Sequence, residues 1–145
     1  CLVGSEMCIR DRYYIWKKKI IMKTKIFTPN APEAIGPYSQ AILSNETLYC
    51  SGQIALDKNG NLKNSNIEDE TVQIFKNINA ILNEVNMTFE NIVKSTIFLK
   101  NMDDFSTVNS IYAKYFKSSP PARETVEVSR LPKNVNIEIS VIAVK

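Results

Sequence analysis

"NIVKSTIFLKNMDDFSTVNSIYAKYFKSSPPARETVEV", residues 91–128, decides the fold. Residues 91–99 are rich in β-branched side chains and read as a strand. The period then changes. Phe105, Val108, Ile111, Tyr112, Tyr115 and Phe116 recur three and four apart, the apolar stripe of a helix over 103–116, with Asp103 or Asp104 as its cap. Pro120 and Pro121 stop any continuation, because proline lacks the donor a helix needs. "RETVEV" (123–128) then reads as a second strand.

Outward from this unit the same signals repeat. Residues 65–85 form the clearest helix, with Ile67, Thr71, Ile74, Ile78, Ile81, Leu82 and Val85 on one face. Ser65 and Glu68 fit a capping box, and Glu68, Asp69 and Glu70 complement the positive end of the helix dipole. Strands are expected at 23–28, 41–44, 48–56 and 135–144, with a proline-rich loop over 29–40 and an Asn59-Gly60 turn. Strands, helix, strand, helix and two strands argue for an α+β domain: a mixed sheet of about six strands with two helices on one face. The face left uncovered is expected to lie against other subunits.

Composition narrows the function. The chain has 145 residues, enough for one domain with an ordinary core. Its net charge of +3 is a property of the first 21 residues, which hold five of the 18 basic and two of the 15 acidic side chains. Residues 22–145 are therefore balanced at 13 and 13, without the basic footprint of a nucleic-acid binder. The absence of histidine removes the commonest neutral-pH base and metal ligand. Cys50 is the one cysteine after residue 21, so no intrachain disulfide framework exists there. No apolar run reaches membrane-spanning length, no glycine-rich phosphate loop appears, and no metal-spaced cluster is evident.

Residues 1–21 have no clear periodicity and no secretory signal pattern. Back-translated, "EMCIRDR" (6–12) resembles the mosaic-end adapter of sequencing libraries. The expectation is a leader that is non-native or disordered, followed by a single domain over 22–145 that starts at Met22.

Candidate functional residues come from the polar faces of the last strands. Val135, Ile137, Ile139 and Val141 alternate with Asn136, Glu138 and Ser140; Arg123, Thr125 and Glu127 share a face. Taken alone, Arg123 and Glu138 fit solvated strand ends as well as a pocket. Gly52, inside a strand pattern, marks a bulge or a close approach to a ligand. Cys50 reads as a buried, inert thiol.

"APEAIGPYSQA", "SGQIALD", "IVKSTIFLKNMDDFSTVNSIYAKYF" and "PPARETVEVSRLPKNVNIEISVIAV" together resemble the RidA (YjgF) family, in order and across essentially all of 22–145. The resemblance implies a chorismate-mutase-like α+β fold, a cytoplasmic homotrimer and active sites in clefts between subunits. It implies hydrolysis of 2-iminobutanoate and 2-iminopropanoate to 2-keto acids and ammonia, with neither cofactor nor metal. Such imines arise from pyridoxal-phosphate dehydratases, which makes those enzymes functional partners. By position, Arg123 resembles the arginine that binds the substrate carboxylate. Glu138 resembles the glutamate that positions or activates water. Tyr38, Ser51 and Asn109 resemble pocket-lining residues, and Gly52 lies where backbone approaches the ligand.

The chemistry fits these roles. A guanidinium fork matches a planar carboxylate bidentately, and without histidine a carboxylate in a partly dry cleft is the available base. Three positions depart from the family pattern: Thr125 where cysteine is frequent, Asn86 where glycine is, and Glu70 where glutamine is. The rival readings are a non-catalytic module binding small carboxylates through Arg123, and an endoribonuclease. Glu138 argues against the first, the neutral charge balance without histidine argues against RNA, and the lack of a long apolar run argues against a membrane span.

Overall fold

The computed structural model describes residues 22–145, so the expected leader lies outside them. Six strands are formed: β1 (Lys23–Ile26), β2 (Ala41–Ser44), β3 (Thr47–Gln53), β4 (Ile92–Leu99), β5 (Ala122–Glu127) and β6 (Ile137–Val144). Two helices join them, α1 (Ile67–Glu84) and α2 (Phe105–Tyr115). The sheet order is β1-β2-β3-β6-β4-β5. Every pairing is antiparallel except β4 with β5, where the α2 crossover makes the strands parallel. This is the expected mixed sheet with two helices.

Both helices bury their stripes against one face. Ile74, Ile78, Ile81 and Leu82 of α1 are fully buried, each stabilising the fold by about 1.5–3 kcal/mol. They meet Ile97 and Leu99 of β4 and Ile137, Ile139 and Val141 of β6 in one core. Phe75 stacks on Tyr115 at 4.2 Å, joining the helices. On the opposite face Tyr49 is 50% and Val126 42% exposed.

The details correct several expectations. The cap of α1 is Asn66, not Ser65: its Oδ1 accepts from Asp69 N at 2.7 Å, and asparagine caps as well as serine does. At the second helix Asn101 is the side chain that caps. It accepts from Asp103 N at 2.9 Å and opens a 3-10 turn that leads into α2. β3 ends at Gln53, its last residue paired with β6, rather than at 56, and its register with β6 shifts between Cys50 and Gln53. β6 starts at Ile137, not 135. Lys133 and Asn134 take left-handed conformations just before it, and Asn136 N donates to Glu70 Oε2 at 2.9 Å instead of to a strand. Asn86 does adopt the left-handed conformation after α1, with φ of 56°.

Glu70 lies on the buried face of α1 at 0% exposure. Its second oxygen accepts from Asn136 Nδ2 at 2.5 Å. Glu70→Ala strands both donors of Asn136. We expect a loss of about 3 kcal/mol in urea unfolding, the penalty for two orphaned polar groups. Glu70→Gln, which keeps an acceptor for the backbone N–H, should recover most of it.

Candidate active site

Arg123 stands directly across from Ser95 of β4, and Ser95 across from Val141 of β6. Ser95 and Val141 are buried beneath the helices. Laterally paired residues share a face of a sheet, so Arg123 lies on the helix side. Its Nη1 donates to Asn109 Oδ1 on α2 at 2.9 Å. Its Cζ lies 4.7 Å from the centre of the Tyr112 ring and 5.6 Å from that of Phe105. Burial pushes the Tyr112 phenol up in pKa, against the lowering effects of Ser95 and Arg123. The cavity here is about 430 Å³ and includes Phe116, Pro120 and Pro121 in its wall. The two prolines that end the helical pattern thus also shape the space beside Arg123.

Glu138 is across from Phe98, between the buried Ile137 and Ile139. It therefore points to the opposite face. It lines a larger cavity of about 550 Å³ with Tyr38, Ser51, Gly52, Ile35 and Leu56. Gly52 sits in the irregular register of β3. A Cβ there would lie 2.8 Å from Glu138 Cδ and overlap Oε1, so the missing side chain makes room for the carboxylate. Desolvation pushes the Glu138 pKa up, and no cation pairs with it among the described residues.

The loop that carries Tyr38 is tied to this bulge. Ser51 Oγ donates to Ser39 O at 2.6 Å, and Ser51 N to Gln40 O at 3.0 Å. Gln40, 3% exposed, accepts from Thr28 N and donates to the carbonyls of Thr28, Ala31 and Pro32. Tyr38 is half exposed, and its hydroxyl accepts from Ile35 N at 3.2 Å. Cys50, next to Ser51, is buried and pushed up to about 12 by desolvation, so it stays an unreactive thiol.

The structure brings Tyr38, Ser51, Gly52 and Glu138 together, and separately Asn109 and Arg123. It does not bring the two groups together within one chain. Two members escaped the sequence. Gln40 follows a turn-rich loop and gave no pattern, and Tyr112 read only as part of the apolar stripe. Among the described residues no group of three or more Cys, Asp or Glu is placed to hold a metal, and no helix is long and apolar enough to cross a membrane.

The fold and its cavities define a class: a six-stranded α+β protein with a guanidinium pocket on one face of the sheet and a carboxylate pocket on the other. The family model described as Endoribonuclease L-PSP matches residues 28–145, and the chain belongs to this family, the RidA (YjgF) family. A RutC family protein of Pyrococcus horikoshii is 50% identical over 125 residues, covering 86% of this chain and 99% of the relative. A human protein named 2-iminobutanoate/2-iminopropanoate deaminase is 44% identical over 126 residues, covering 86% of this chain and 92% of the relative. The crystal structure of a Rid-family protein from Yersinia pestis has a TM-score of 0.83 at 52% identity, covering 86% of this chain and 100% of that one.

Proposed function

We propose that the chain hydrolyses reactive 2-imino acids, of the 2-iminobutanoate and 2-iminopropanoate type, to 2-keto acids and ammonia. The observation that carries this reading is that the chain presents an oriented guanidinium on one face of its sheet and, on the other, a half-buried carboxylate with no cationic partner among the described residues. The name of the human relative supports the reaction. Because Arg123 and Glu138 face opposite sides of one sheet, a small substrate meets both only where two copies adjoin. A homotrimer provides such junctions, and the exposed Tyr49 and Val126 on the helix-free face offer apolar surface for it. The working unit is the domain over 22–145, acting in the cytoplasm on intermediates released by pyridoxal-phosphate dehydratases.

In this reading Arg123 takes the substrate carboxylate through parallel N–H donors. That fixes C2 before the Glu138 of an adjoining copy. Glu138 accepts a proton from water as the water oxygen bonds to C2. Protonated Glu138 passes that proton to the imine nitrogen, giving a tetrahedral carbinolamine. Glu138 then carries the hydroxyl proton to the amino nitrogen, the C–N bond breaks, ammonia leaves, the keto group forms and Glu138 is again a carboxylate. Imine and one water become keto acid and ammonia, with no oxidation. Tyr38 and Ser51 wall the space, and Gly52 lets the carboxylate lie flat against β3.

The test couples the protein to a threonine dehydratase and follows keto-acid formation from the released imine. Faster formation with the protein present supports the reading, and equal rates with and without it overturn it. Gly52→Ala is a sharper variant. The backbone at Gly52 is not left-handed, so the added methyl acts on Glu138 rather than on the fold. We expect an unchanged melting temperature and a turnover loss of up to about 100-fold, as for a catalytic group misplaced by about 1 Å.

A further inference from the structure

We infer that Tyr112 is a positioning residue whose ring sets the plane of the Arg123 guanidinium and so governs how tightly a carboxylate is held. The inference rests on the carboxylate-binding role proposed for Arg123. Phe105, Asn109 and Tyr112 recur at helical spacing on α2, so they rise along one face of the helix. All three touch the same guanidinium: two rings at 5.6 and 4.7 Å and one amide oxygen at 2.9 Å. Distances of this order bring the cation under the attraction of the ring faces.

Tyr112 is the fixed member. Its hydroxyl donates to Ser95 Oγ at 3.1 Å in the buried interior. Its ring packs against Phe116 at 4.4 Å and Phe75 at 5.9 Å. Ser95 is the residue directly across from Arg123. The platform is therefore anchored to the same rung of the sheet from which Arg123 projects. Arg123, Tyr112 and Ser95 close a loop across β5, α2 and β4. An arginine held by face and edge loses less freedom when it binds, and preorganisation of this kind appears as affinity.

The readout is the ratio of affinities for pyruvate and for pyruvamide, its uncharged analogue, measured by calorimetry on the full chain. A merely structural role would weaken both ligands together. Tyr112→Leu keeps apolar volume and removes the ring face, and should lower the preference for pyruvate about tenfold, as expected for a partly desolvated cation–π contact. It should raise KM for 2-iminopropanoate with little change in kcat. Tyr112→Phe keeps the face and should retain most of the preference. Phe105→Leu removes the more exposed ring without disturbing the core, and should lower the preference about threefold, which covers the case in which Tyr112→Leu fails to fold. If Arg123→Ala leaves pyruvate binding intact, the carboxylate-clamp reading fails. If Arg123→Ala abolishes it while the leucine variants keep the wild-type preference, the positioning role of Tyr112 falls alone.

Discussion

Arg123→Ala should return imine hydrolysis to the rate measured without protein. Hydrogen bonds to a charged group are worth about 1.5–3 kcal/mol each. Two parallel bonds to one carboxylate therefore correspond to roughly 10²–10⁴-fold in kcat/KM. Imines also hydrolyse unaided, so a loss of this size leaves no acceleration above background. The fold should survive, because Arg123 is partly exposed on an edge strand rather than in the core. Equal melting temperatures for wild type and variant check this. Arg123→Lys separates charge from shape. Lysine keeps a positive point charge but lacks the planar fork, and it cannot donate to Asn109 while also gripping a carboxylate in two places. It should recover only a small part of the lost rate. Wild-type rates in the alanine variant would remove Arg123 from the reaction.

The fold could be read from the sequence where period and punctuation agreed. Residues 91–128 switch from a β-branched run to a helical stripe and back, with two prolines marking the return, and the structure places β4, α2 and β5 there. The caps could not be read so well. Ser65 and Asn66 are chemically equivalent as caps, and only backbone geometry selects Asn66. The start of β6 depended on Glu70, a residue 66 positions away from Asn136. Local pattern carries no trace of such a contact. The site followed the same division. Alternation correctly separated Arg123 from Val126 and Glu138 from Ile139. It could not show that the two polar faces lie on opposite sides of the sheet. That depends on β4 standing between β6 and β5, and on which residues pair across them. Gly52 was legible as a close approach. What approaches it is the Glu138 side chain on β6, the strand paired with β3 but far away in sequence.

Glu138→Gln should lower kcat by about 10²–10⁴-fold while leaving pyruvate affinity nearly unchanged, the range expected when a general base is lost. The electrostatics give the variant a second signature. Desolvation raises the folded pKa of Glu138 above its unfolded value. Its contribution to stability is therefore full below the unfolded pKa and is lost as pH rises through the folded one. At neutral pH the ionised carboxylate is a burden on the fold, and glutamine, which stays uncharged, should leave stability equal or slightly higher. In the wild type, the acid limb of kcat/KM should fall with a midpoint above the ordinary glutamate value, and this limb should vanish in Glu138→Gln. The opposed faces of the sheet then predict complementation. Arg123→Ala and Glu138→Gln are each inactive alone. Unfolded and refolded together, they form junctions in which an intact Arg123 from one copy meets an intact Glu138 from another. Activity should reappear in the mixture, and only after subunits exchange. A site built within one chain cannot be restored this way, so continued inactivity of fully exchanged mixtures would overturn the shared site and leave two independent pockets.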